Sequence, residues 1–440
     1  MAFNSEGDYH HKNQAVVEDV IASEMKRFKA IGVDLSHYLS LLSSKTNGEI
    51  GRIISKHYCD SKYDEDILNI ILNSTNNSRI AVNYVCNCFS LDQSEIYKVI
   101  EYIRKNHYNY YVDFISILPF NEKTLLYIQK LPDKEAQNYW NRFATFNFNN
   151  KNLLDRAIEN LLKYSNWNEL YFIMYQQSEM LSAEEILAIL SNSTIKMITE
   201  NHPINDNEGY FIEELISLVY QKTGNDFENY PMLYGLEMRL CSVIGWGKMK
   251  CCQYFFKRNA YCYADILSIV YKKDTCNSND ELDLNKFSNI FKLEREIEFC
   301  PGEENGVVNK DILNDWILQF KNHLKNQGQA YLFYRKLGKL LANSPIGSDG
   351  FFPHEYVREK IEEIGNDELI EAFAYSIING RGVYTVTGGK EELKLSQKYN
   401  ELSKNLIIRY PITSKIFTFL SDHYLRESKE ERELAENEIY

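Results

Sequence analysis

Between residues 12 and 271, apolar side chains return every three or four positions in short runs, and polar links separate the runs. The first run carries Val16, Val17, Val20, Ile21 and Met25. Later ones carry Ile67, Leu68, Ile70, Ile71 and Leu72, then Ile96, Val99, Ile100 and Ile103, then Leu153, Leu154, Ile158, Leu161 and Leu162. That period is helical, and each helix is short, roughly two to four turns. A short amphipathic helix buries one face and cannot do so alone, so the helices must stack on one another. The links at 73–77, 132–133, 146–150 and 165–166 are brief and polar, which suits helical hairpins. Strand signals are scarce, and Gly (20) and Pro (8) are too few in 440 residues for a fold built on turns. No fixed repeat length aligns, and tetratricopeptide and ankyrin signatures are absent. The expected fold is all-α: an irregular HEAT-like α-solenoid over 12–271, after a polar tail at 1–11. Within it, Ser182 and Glu185 predict a capping box at a helix start.

The pattern breaks at 272–309, read as a connecting region. Its polar stretch around Asp274 to Asp283 and the loop Cys300-Pro301-Gly302-Glu303-Glu304-Asn305-Gly306 both lack helical spacing. Helices resume over 310–426, a C-terminal helical subdomain. Pro353 suits the first turn of one helix, Gly365 its end, and Asn366 the cap of the next. Val383 to Thr387 is the one clear strand-like run, expected to form a short β element between Gly382 and Gly388-Gly389. The charged segment 427–440 is expected to fray.

Composition narrows the function. The net charge is −13, from 49 basic and 62 acidic side chains. An acidic chain gains nothing from counterion release along a phosphate backbone unless its cations cluster. The densest basic stretches, Lys248–Lys257 and Lys321–Lys339, have the spacing of solvated helix faces. Nucleic acid is therefore disfavoured as a partner. Nine cysteines, odd in number and irregular in spacing, fit buried thiols in a reducing compartment better than disulfides or a zinc site. No signal peptide and no apolar stretch of membrane-spanning length is visible, so the expectation is a cytoplasmic chain without a membrane partner. No P-loop, dinucleotide fingerprint, metalloprotease motif or nucleophile elbow occurs. No cofactor or metal is expected, and enzyme activity is disfavoured.

The window 343–392 stands apart. It holds seven of the twenty glycines: Gly347, Gly350, Gly365, Gly380, Gly382, Gly388 and Gly389. His354, Arg358 and Glu362 recur at i, i+4 and i+8, along one helix face. Asp349 and Arg381 lie in flanking loops. These five residues form a candidate ligand- or partner-binding site, since arginines with a histidine and carboxylates can hold a phosphate, a carboxylate or an acidic side chain. The competing account is structural: Arg358 and Glu362 as a helical pair, Asp349 and Arg381 as loop pins.

From Pro301-Gly302 onward, an ordered set of motifs follows. It comprises Asp311 with Leu313 and Trp316, Asp349-Gly350-Phe351-Phe352-Pro353, Val357-Arg358 with Ile361-Glu362, Asn379 with Arg381-Gly382-Val383, Gly388-Gly389 with Glu392, and Tyr410-Pro411. In this set the last third of the chain resembles the C-terminal region of large uncharacterised bacterial helical-repeat proteins. The resemblance implies a place in defence-type gene neighbourhoods. Together with the acidic surface and the wealth of tyrosine, the expected role is a protein-interaction scaffold or sensor in bacterial, anti-phage defence. It would hold a protein partner or serve as a subunit of a larger complex. The alternative is an enzyme or ligand-binding protein with its polar site between Asp349 and Arg381.

Overall fold

A computed structural model describes residues 19–24, 26–27, 34–40, 49–58, 64–75, 78–89, 95–144, 148, 150–271, 288–382 and 388–437. The described residues are helical almost throughout, with one two-stranded antiparallel sheet, so the all-α class with a single short β element holds. The expected strand at 383–387 lies outside the described residues. The observed β element is elsewhere, in the segment read as a loop. Strand β1 (Glu303–Glu304) pairs with β2 (Val307–Val308), Glu303 opposite Val308 and Glu304 opposite Val307. Asn305 and Gly306 make the turn with φ of 51° and 82°. Asn-Gly is the pair that a two-residue hairpin turn with positive φ at both positions demands.

The chain divides into two compact units, 1–181 and 182–440. In unit 1, helices α1 (Leu35–Ser40), α2 (Glu49–Tyr58), α3 (Glu65–Thr75) and α4 (Ser78–Cys88) pack so that alternate helices meet, α1 on α3 and α2 on α4. The order continues with α5 (Ile96–Asn106), α6 (Tyr108–Ile115), α7 (Glu122–Ile128) and α8 (Asp133–Asn141), where α4 meets α6 and α6 meets α8. The unit ends in α9 (Lys151–Lys163) on α10 (Trp167–Gln176). Gly51 sets one crossing: a Cβ there would sit 2.1 Å from the carbonyl oxygen of Ile80 on α4. Tyr111, Phe114, Tyr139 and Trp140 are buried, and Phe120 meets Trp140, Phe143 and Phe148 edge to face. Most of this dense aromatic group is thus core.

Unit 2 opens with α11 (Ala183–Thr199), started by the expected capping box: Ser182 Oγ accepts from the Glu185 amide at 3.2 Å, and the Glu185 carboxylate accepts from the Ser182 amide at 2.7 Å. A second box, Asn205 with Glu208, starts α12 (Asp206–Thr223). Then come α13 (Pro231–Arg239), α14 (Cys241–Ile244), α15 (Lys250–Arg258) and α16 (Ala260–Val270). Past the segment 272–287, which lies outside the described residues, α17 (Ser288–Glu296) and α18 (Lys310–Asn326) both pack on α16. The expected connecting region therefore falls inside one compact unit. Trp316 of α18 donates to the Phe256 carbonyl at 2.8 Å, and Gln329 donates to the carbonyls of Leu267 and Tyr271, so the two sides of the connection are stitched together.

The remaining helices are α19 (Phe333–Leu341), α20 (Glu355–Ile364), α21 (Asp367–Asn379), α22 (Lys390–Leu406) and α23 (Pro411–Asn437). Gly365 closes α20 in the left-handed region, and Asn366 caps α21 through the Leu369 amide, as expected. Helix α20 itself starts at Glu355, with His354 rather than Pro353 at its entrance. α22 and α23 pack along their lengths, and α23 runs far past its expected end. The helix continues through residue 427 to Asn437 and is tied to the start of α22. Ser428 is buried and donates to the Gly389 carbonyl at 2.6 Å, and the Gly389 amide donates to Glu431 at 2.9 Å. A Cβ on Gly389 would lie 2.1 Å from the Ser428 carbonyl oxygen, so only glycine fits.

Candidate functional site

The structure distributes the five sequence-derived candidates among four separate arrangements. Arg358 is 1% exposed and donates to both oxygens of Asp349 at 2.7 and 2.6 Å, with its guanidinium 4.7 Å from the Tyr410 ring centre. Burial would raise the Asp349 carboxyl, but the Arg358 guanidinium overrides it and holds the group below the ordinary carboxylate range. His354 is buried at the start of α20, where its Nδ1 accepts from the Tyr356 amide and its own amide donates to Ser344 Oγ. Glu362 faces another helix end, accepting from the amides of Ile412 and Thr413 at 3.0 and 2.7 Å at the start of α23. A carboxylate there satisfies amides that have no partner within the helix and faces the positive end of its dipole. Arg381 sits apart from these, donating to the buried carboxylate of Glu392 on α22. Of the five side chains, only those of Asp349 and Arg358 bond to each other.

A different feature gathers charge. A groove of about 720 Å³ opens between α17, α19 and α21. Four cations, Arg295, Arg335, Lys336 and Lys339, reach it from the α17 and α19 side, together with one carboxylate, Glu298, just past the end of α17. Helix α21 lines the other side with Glu368, Glu371, Tyr375, Ser376 and Asn379. Gly338 brings α19 and α21 together at its floor. A Cβ there would lie 2.4 Å from the Leu369 carbonyl oxygen and 2.9 Å from Cβ of Ala372, itself a lining residue.

Behind the groove, Lys336 is committed. Its Nζ lies 2.7 Å from the buried Glu294 carboxylate and 2.6 Å from the Tyr271 hydroxyl. Tyr263 and Tyr271 both donate to Glu294, at 3.2 and 3.3 Å. Burial opposes the Glu294 charge, but Lys336 and its other donors win and keep the carboxyl below its ordinary value. Lys339 is partly stripped of water, which lowers its ammonium, and it bonds only the carbonyls of Glu294 and Arg295 at 3.3 Å. Arg295 and Arg335 are exposed and make no ion pair with a described residue. Glu368 and Glu371 are likewise exposed and unpaired among the described residues.

The two basic stretches of the sequence thus behave differently. In the first, Lys248 and Lys257 are spent on Glu213 and Glu303, and Arg258 just beyond it on Glu304. The second, expected as a solvated face, keeps Lys321, Lys325 and Arg335 exposed but buries Lys336, and Arg335 and Lys339 line the groove. The spacing Arg335-Lys336-x-x-Lys339 is the one local signal for it. Their companion, Arg295, has no such signal because it arrives from another helix.

The described cysteines are withdrawn from solvent to different degrees. Cys88, Cys241, Cys251, Cys252 and Cys300 are buried, and Cys86 and Cys262 are half-buried. Burial raises the thiol of Cys86, Cys241, Cys251, Cys252, Cys262 and Cys300, the last to about 12, which disfavours the nucleophilic form. Among the described residues no group of three His, Cys, Asp or Glu is placed to hold a metal ion, and no helix is long and apolar enough to cross a membrane. No protein-family model, curated protein or solved structure matches the chain.

Proposed function

We propose that this chain is a helical scaffold or sensor that holds a protein partner, with recognition centred on the groove of unit 2. One observation carries it: Arg295, Arg335, Glu368 and Glu371 line an open concavity without ion-pair partners among the described residues, whereas Lys248, Arg258 and Lys310 on the same unit are paired internally. An unpaired charge in a concave site adds little to stability, and it is available to a partner of complementary charge. The bacterial-defence setting implied by the resemblance of the last third belongs to the same proposal. Spending Asp349, His354, Arg358, Glu362 and Arg381 on helix ends and loop contacts supports a scaffold over a catalytic site in their window.

The test is affinity capture from the native host with the tagged full chain beside an Arg295→Glu, Arg335→Glu double variant. A stoichiometric partner retained by the first and lost by the folded second is the expected outcome. Equal capture by both would move recognition away from the groove, and no partner under any condition would end the scaffold proposal.

A further inference from the structure

The groove's two sides differ in chemistry, and the difference identifies what fits. Arg295, Arg335 and Lys339 line one side as a cluster of three cations without an ion pair among the described residues, and Glu298 beside them sets one negative charge against the three. A single carboxylate would answer one of them and leave two. A phosphoryl group carries nearly two charges and three acceptor oxygens, and guanidinium forks pair with it bidentately. Lys339 adds to the preference, since an ammonium already short of water gains most from a dense counter-charge.

The opposite side gives the length. Glu368, Glu371, Tyr375 and Asn379 recur at helical spacing along one stripe of α21. From Glu368 to Asn379 the stripe runs about 16 Å at helical rise. That matches about five residues of extended peptide. Its carboxylates, unpaired at one end, suit a basic side chain or backbone amides beside the phosphorylated one. A compact phosphorylated metabolite would use the cation cluster and leave most of the stripe empty.

We propose that the groove captures an extended segment of the partner bearing a phosphorylated side chain, its phosphoryl group on Arg295, Arg335 and Lys339 and its flanking residues along α21. This rests on the scaffold proposal above and names the chemistry of its partner.

The test uses the full chain and fluorescein-labelled degenerate heptapeptide pools with a fixed central phosphoserine, aspartate or serine, read by anisotropy. The phosphoserine pool is expected to bind roughly tenfold or more tighter than the serine pool, with aspartate between. Arg295→Gln with Arg335→Gln should remove that preference, and Glu368→Gln with Glu371→Gln should weaken binding while leaving it. Equal binding of the phosphoserine and serine pools overturns the proposal. Displacement of the phosphoserine pool by ATP or inorganic phosphate at lower concentration than by the unlabelled pool also overturns it, in favour of a small phosphorylated ligand. A second arm separates the two proposals: phosphatase treatment of the host extract before capture should abolish the partner. A partner that survives dephosphorylation sinks this inference and leaves the scaffold standing.

Discussion

The two units of the molecule bury different things. Among described residues, unit 1 buries three polar side chains, Ser55, Thr124 and Glu135, while unit 2 buries eighteen, among them Glu208, Glu237, Glu294, Lys336, Arg358 and Glu392. Unit 1 is held by aliphatic and aromatic area, which is strong but not directional. Unit 2 adds hydrogen-bonded charges whose geometry must be met together. Glu237, for example, accepts from Tyr220 and from the amides of Cys251 and Cys252, all buried. Apolar area tolerates repacking, whereas a buried charge stripped of its partner does not. The difference teaches that the unit carrying the groove is the one whose helix positions are most tightly specified.

The largest expected break is at Glu294. Glu294→Gln leaves Lys336 without a full counter-charge and should cost unit 2 about 3–5 kcal/mol in denaturant unfolding. The double change Glu294→Leu, Lys336→Met should recover most of that loss. If the double variant is no better than the single, the network is not acting as a coupled pair.

Next come the glycine crossings. Gly338→Ala forces a methyl against the Leu369 carbonyl and should cost about 1–3 kcal/mol while opening the groove floor. Gly235 on α13 has open space where a Cβ would stand, with nothing within 4 Å, and gives the opposite sign: Gly235→Ala should stabilise by about 0.5–1 kcal/mol. Thermal melts of the two variants side by side decide whether close approach or helix propensity governs these sites. Ser182→Ala, which removes one half of a capping box, should cost about 1 kcal/mol.

The smallest effect is the response to acid. Glu294, Asp349, Glu303 and Glu392 in unit 2 are all held below their ordinary values, burial opposing the shift and cationic partners outweighing it. A carboxylate with a depressed native pKa contributes stability that is full above its unfolded pKa of about 4 and is lost as pH falls through the native value. Unit 2 should therefore loosen in acid before unit 1, where among the described residues Asp113 and Asp133 are the carboxylates shifted down. Hydrogen exchange at about pH 6 and then in steps down to about pH 2, which carries the titration below the lowered carboxylates, checks the order. Simultaneous loosening of both units would erase the contrast.

Structure is legible in the sequence where one stretch of chain suffices. The periodicity of Ile96, Val99, Ile100 and Ile103 marks a buried helix face, and all four are buried. Ser182 with Glu185, Gly365 and Asn366 each mark a helix end through bonds spanning a few residues. The hairpin turn at Asn305-Gly306 is equally local, but its strands are only two residues each, too short to show the alternation that a β-branched run such as Val383 to Thr387 advertises. What resists sequence reasoning is the long-range pairing of charge. That Glu362 serves the start of α23, fifty residues away, or that Arg295 joins Arg335 and Lys339, depends on which helices meet. Spacing on one helix therefore leads to braces such as Arg358 and Glu362, while the groove needs three helices to exist.

The buried thiols give the molecule an internal clock. Cys88 in unit 1 and Cys251, Cys252 and Cys300 in unit 2 are all shielded from solvent. An alkylating reagent reaches such a sulfur only when the helices around it part, so the modification rate at each position measures how often that part of the chain breathes. Without any added label, the two units carry separate timers. The difference between a core built on area and one built on paired charge would be written in the spread of their half-times.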